Sequence, residues 1–170
     1  RAESMTFSEM AADVLAFMDT MNLPKANILG HSLGGKVAMQ LALQHPERVC
    51  KLVVADIAPI AYASHHNDIF DGLNAVDLST LKSRKDAEPA LKKFIDEEAV
   101  RQFILKNLYR TEQGNFDWRI NLSALQNCYA EIREANDAEG VYPGPALFIK
   151  GELSDYISES SHAIIKDLFP

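Results

Sequence analysis

The chain of 170 residues is 47% hydrophobic and 24% charged, the balance of a globular domain with a sizeable core rather than of a disordered or fibrous segment. Its formal net charge of -7 disfavours nucleic acid and anionic membrane surfaces as partners, because both repel it, and no apolar run approaches the length of a membrane span. Cys50 and Cys128 lie far apart without metal-ligand spacing, so they read as buried thiols of a reducing compartment and favour a cytoplasmic location.

The first predicted element is a helix. Thr6-Phe7-Ser8-Glu9 has the form of a capping box, and Phe7, Met10, Ala11, Val14, Leu15, Met18 and Met21 recur at helical spacing until Pro24 breaks the pattern. Lys25-Ala26-Asn27-Ile28-Leu29 then reads as a short buried strand. It runs into Gly30-His31-Ser32-Leu33-Gly34 and an apolar-rich helix closed by His45-Pro46. Val49 to Ala55 is a second, β-branched strand that ends at Asp56. Helix, strand, helix, strand is the grammar of parallel strands with helices on both faces. After residue 62 the apolar positions are set among more charge. Ile69, Phe70 and Leu73 mark one helical stretch, Leu91, Phe94 and Ile95 another, and Val100, Phe103, Ile104 and Leu108 a third. A turn is expected at Gln113-Gly114-Asn115 and a short extended piece over Phe116 to Ile120. Gly140 to Pro145 leads to a third core strand, Ala146 to Lys150, followed by Gly151 and a last helix from about Ser158 to Leu168. The reading is a core of residues 1–62 and 141–170 with a helical cap, 63–140, inserted between two sheet strands at the catalytic edge.

A strand, a Gly-x-Ser-x-Gly turn and a helix in that order hoist a serine hydroxyl out of a strained turn, with Gly30 and Gly34 expected to clear the converging backbones. Ser32 is thus the candidate nucleophile, and the Leu33 N–H, opening the helix, faces a developing oxyanion. No lysine follows a G-x-x-x-x-G spacing, so a Walker-type phosphate loop does not fit. A serine needs a histidine base and a carboxylate to orient it. Asp56 ends the strand beside the elbow strand, and Asp155 lies in the loop after the third strand, so both are candidate acids. Among the histidines, His31 packs or lines a pocket, His45 ends a helix, His65 and His66 stand at the entry to the insertion, and His162 lies within the last helix. In the order serine, acid, histidine, the base is expected after Pro170. Lys82, Arg84, Lys85, Lys92 and Lys93 read as a solvated face before an anion site. No metal-ligand constellation or dinucleotide fingerprint occurs, so no metal and no cofactor are expected.

Gly30-His31-Ser32-Leu33-Gly34-Gly35-Lys36, Val54-Ala55-Asp56-Ile57-Ala58-Pro59 and Pro145-Ala146-Leu147-Phe148-Ile149-Lys150-Gly151 together resemble the α/β-hydrolase fold and, more narrowly, the bacterial YbfF-type esterases. The resemblance implies a mostly parallel central sheet flanked by helices, with a helical cap insertion. It also implies a serine carboxylesterase or thioesterase acting on small acyl esters or thioesters, acyl-CoA among them, through an acyl-enzyme. It sets the acid at Asp56 rather than Asp155, with assistance from Ser154. It further implies a fragment, with the first strands and the second oxyanion donor expected before Arg1, and the last strand and helix with the histidine base expected beyond Pro170. The alternatives are another reaction of this scaffold, such as a lyase or a cofactor-free haloperoxidase, and a catalytically silent binding module.

Overall fold

The computed structural model describes residues 4–64 and 66–170. Its contacts divide the chain into two units, residues 4–62 with 128–170, and residues 63–127.

The first unit is the sheet unit. Helix α1, Phe7–Thr20, starts on the expected capping box: the Glu9 N–H donates to Thr6 Oγ1 at 3.2 Å and the Thr6 N–H returns a bond to the Glu9 carboxylate at 2.9 Å. Strand β1, Ala26–His31, is followed by helix α2, Leu33–Gln44, and strand β2, Val49–Ala55. The sheet order is β1, β2 and then the strand over Ala146–Ile149, all parallel, with His31 opposite Ala55 and Ala55 opposite Ile149. Met39, Leu41 and Ala42 of α2 are wholly buried with Leu52 and Val54 of β2, Ala11 of α1 and Tyr142. Burying each large apolar side chain of this set is worth about 1.5–3 kcal/mol, so this layer of helix on sheet fixes where the strand ends fall.

The inserted unit contains α3, Asn67–Asn74, α4, Glu88–Leu91, and α5, Glu98–Leu105, then strands β3, Leu108–Arg110, and β4, Phe116–Trp118, and helix α6, Leu122–Asn127. It has its own core, in which Leu73, Leu91, Leu105, Leu108 and Trp118 are buried. Leu108 corrects the sequence expectation. It does not extend the third helical stretch but opens an antiparallel hairpin opposite Trp118, because α5 unwinds through the short bonds Lys106 N–H to Phe103 O and Asn107 N–H to Ile104 O. Gly114, at φ +86°, supplies the left-handed turn residue between the two strands.

After α6 the chain rejoins the sheet unit. Residues 128–140 were expected with the insertion, but their contacts lie with α2: Asn136 Nδ2 donates to Lys36 O at 2.8 Å and to Gln40 Oε1 at 2.9 Å. Strand β5, Ala146–Ile149, follows, and α7, His162–Leu168, begins after a tight turn over 159–161 rather than at Ser158. Cys128 is buried as expected, whereas Cys50, at the start of β2, is exposed. No helix among the described residues is long and apolar enough to cross a membrane.

Candidate active site

Ser32 stands between β1 and α2 with φ 52° and ψ -123°, a backbone state that costs a residue with a Cβ on the order of 1–3 kcal/mol. Neighbouring strands hold it there. Its N–H donates to Ala55 O of β2 at 3.0 Å, and its own carbonyl accepts from Gly35 and Lys36 at 2.8 and 3.2 Å as α2 begins. A serine at a helix N-cap ordinarily spends its hydroxyl on the first turn. The Ser32 hydroxyl makes no such bond. Leu33 opens α2, where the first N–H groups have no acceptor within the helix. A Cβ on Gly30 would fall onto the Gly34 carbonyl, and one on Gly35 would lie 2.5 Å from Ile57 Cγ2, whereas Gly34 has open space around it. The clearance expected of Gly30 and Gly34 therefore comes from Gly30 and Gly35. The reason is the crossing itself: Gly35 is the helix position that faces β2 and the segment after it.

Asp56 is the next residue after β2, as Ser32 is after β1, and the parallel register makes them neighbours at one edge of the sheet. Asp56 too has positive φ, 57°, and its N–H donates to Ile149 O of β5 at 2.8 Å. Its carboxylate accepts the Gly151 N–H at 3.1 Å. A Cβ built on Gly151 would lie 3.3 Å from Ser154 Cβ and 3.5 Å from Asp56 Oδ1, so Asp56 and Ser154 flank the same glycine. Ser32, Leu33, Asp56 and Ser154 thus converge on the carboxyl ends of β1, β2 and β5, while Asp155 of the same loop is exposed. His45 lies at the opposite end of α2 from Ser32, with Nδ1 3.6 Å from the Glu47 carboxylate. His31 is exposed and lines a cleft beside β1 with Met10, Val14 and Leu29. His162 is exposed at the start of α7, His66 is half-buried before α3, and His65 is outside the described residues. Among the described residues no group of three or more His, Cys, Asp or Glu side chains is placed to hold a metal ion.

Two polar residues at this end of the unit were given no role by the sequence reading, Tyr62 and Lys36. Tyr62 accepts the Ala58 N–H at 2.8 Å on its hydroxyl, which in turn donates to Tyr156 O. Burial pushes its phenol pKa up, the Ala58 N–H opposes this, and the charges of Tyr156 and Asp56 add to it. Lys36, one helical turn beyond Ser32, is buried, and its Nζ donates to Ile60 O and to Glu134 O. Burial lowers its pKa to about 8, against a smaller opposing pull from Glu134. The available signal was a lysine facing inward on an otherwise apolar helix.

A strained serine between a parallel strand and a helix, with a carboxylate at the neighbouring strand end, defines the α/β-hydrolase class. The family model described as alpha/beta hydrolase fold matches residues 1–170, and the chain belongs to that family. A putative esterase/lipase of Haemophilus influenzae is 41% identical over 99% of this chain, and the esterase YbfF of Escherichia coli is 35% identical over 98%. The chain spans 58% and 63% of the lengths of these two relatives. A solved structure titled marine microorganism esterase is 40% identical and superposes with a TM-score of 0.95 over 100% of this chain and 68% of its own.

Proposed function

We propose that the protein carrying this chain is a serine hydrolase of carboxylic esters and thioesters, working through an acyl-enzyme. The observation that carries this reading is the backbone of Ser32, held at positive φ without a side-chain cap bond, one residue past β1 as Asp56 is one residue past β2. Such strain persists only where the surroundings impose it. Relatives named as esterases support the ester as the bond cleaved.

In this reading Ser32 Oγ attacks the acyl carbonyl carbon and its proton passes to a histidine base, which the family resemblance sets after Pro170. Asp56 accepts the other N–H of that imidazole, and Ser154 supports the carboxylate from across Gly151. The N–H of Leu33 stabilises the oxyanion. Collapse of the tetrahedral intermediate breaks the carbonyl bond to the alcohol or thiol, which leaves with the proton from the imidazolium. Water then attacks the acyl-serine by the same route and releases the acid. The inserted helical unit, which follows Tyr62 in the chain, is the proposed cap.

The test is Ser32→Ala in the intact protein. Turnover of a p-nitrophenyl ester is expected to fall about a thousandfold or more with the fold retained, and covalent labelling by a fluorophosphonate is expected to vanish with it. Unchanged turnover, or no labelling of the unmutated protein, overturns the reading in favour of other chemistry or a binding module. Parallel assays with an acyl-CoA separate thioester from ester cleavage.

A further inference from the structure

One hydroxyl in the sheet unit joins the two loops that carry Asp56 and Ser154. The loop after β2 runs from Asp56 through Ala58 to Tyr62, and the loop after β5 runs from Gly151 through Ser154 to Tyr156. Tyr62 Oη accepts from Ala58 N–H at 2.8 Å and donates to Tyr156 O, while the Tyr156 N–H donates to Ser154 Oγ at 3.3 Å. The two rings pack with centroids 5.3 Å apart and planes tilted by 60°. The chain of contacts is closed on its other side by the Gly151 N–H on Asp56 Oδ1, at 3.1 Å. A phenol offers one donor and one accepting oxygen, and here each is used on the backbone of a different loop.

We propose that the Tyr62 hydroxyl is a positioning group for the acid end of the site, fixing the Asp56 loop and the Ser154 loop in one register. The inference rests on the reading of Ser32 as nucleophile and Asp56 as its acid. Neither loop is a helix or strand, and the phenol bridge adds a second polar tie between them beside the Gly151 to Asp56 bond and the packing of Ala58 with Ile157. Without the phenol bridge the Asp56 carboxylate keeps its bond to Gly151 and Ala58 stays packed with Ile157, but the tie from Ala58 to Tyr156 is lost and Ser154 can shift against Asp56; a displacement of about 1 Å at a catalytic group costs on the order of a hundredfold in rate. Tyr62 is also the last residue of the sheet unit before the insertion, and its backbone is held separately. Its N–H donates to Arg133 O at 2.8 Å, and Arg133 Nη1 donates to Tyr62 O at 2.8 Å. The hydroxyl and the backbone can therefore be tested apart.

The experiment compares Tyr62→Phe, Arg133→Met and Ser32→Ala in the intact protein, with a fluorophosphonate used both to count reactive sites and to time their labelling. For Y62F the expected result is a kcat per labelled site lowered about tenfold to a hundredfold. KM is expected to stay within about twofold, and the labelling rate constant to fall in step with kcat. R133M is expected to keep kcat per labelled site within about twofold of the unmutated protein, since the hydroxyl bridge is intact. A loss of activity in Y62F that follows only the number of labelled sites overturns the proposal, as does a preparation with no labelled sites, because the hydroxyl is then purely structural. An R133M loss as large as that of Y62F also overturns it and assigns the effect to the neck of the insertion. Unlabelled unmutated protein, or active S32A, instead removes the underlying assignment of Ser32, so the two failures are told apart.

Discussion

Ser32 and Asp56 both have a positive φ, 52° and 57°, at the ends of adjacent strands, and both have their amides tied to the next strand across. At Ser32, where ψ is -123°, such a backbone persists only because the surrounding sheet and helix hold it. Replacing Asp56 by Asn preserves an acceptor for Gly151 but removes the charge that stabilises an imidazolium. In the proposed mechanism kcat of D56N falls about a thousandfold or more, whereas D155N stays within about twofold; comparing the two variants under the same ester assay decides between the acids. Lys36 gives a second prediction. Its folded pKa is about 8, well below that of an unfolded lysine. Between the two values the unfolded chain binds a proton that the folded chain does not, so its contribution to stability rises as pH increases through this window and is least favourable below it. Urea denaturation of the unmutated protein and K36M at pH 7 and pH 9.5 should therefore show the advantage of lysine over methionine growing at the higher pH. An equal advantage at both values contradicts a depressed lysine.

Among the elements, those with local signals were legible in the sequence. The capping box begins α1, Pro24 and Pro46 bound their neighbours, and the β-branched run of β2 needs only its own residues to read as a strand. The hairpin of β3 and β4 was half legible. Three-residue strands carry too few positions for a period, and Leu108 becomes a strand residue only because Trp118 pairs opposite it. The elbow was legible as a motif, yet which glycine clears which backbone depends on how α2 crosses β2. This crossing predicts opposite outcomes for two similar substitutions. G30A sets a methyl against the Gly34 carbonyl, which no side-chain rotation relieves, and is expected to cost about 1–3 kcal/mol or more. G34A adds its methyl to open space and gains helix propensity, so its stability in urea should lie within about 1 kcal/mol of the unmutated protein.

On the scale of the whole molecule, the buried apolar residues among those described form three clusters, two in the sheet unit and one in the inserted unit. Leu41 is wholly buried in the sheet unit and Leu91 wholly buried in the inserted unit. Truncating either to alanine removes about 2–5 kcal/mol from the core that holds it. Hydrogen exchange should then report the loss locally: L91A lowers protection of amides within residues 63–127 and leaves those of α2 and β2 at their original level, and L41A does the reverse. Uniform loss in both variants would instead mean one cooperative unit. The sequence by itself determined the order of strands and helices in the sheet unit and the parallel class of the sheet, because hydrophobic periodicity, caps and the elbow motif act over a few residues, and the resemblance of three of its segments pointed to the family. It also marked Ser32, Asp56 and Ser154 as candidates. Only the tertiary structure decided that residues 128–140 return to α2, that Gly35 and not Gly34 gives the elbow its room, that Lys36 is buried, and that the Tyr62 hydroxyl bridges two loops. Those features rest on hydrogen bonds between residues up to a hundred positions apart, such as Asn136 to Lys36, and no local pattern records which distant backbone a buried side chain will meet.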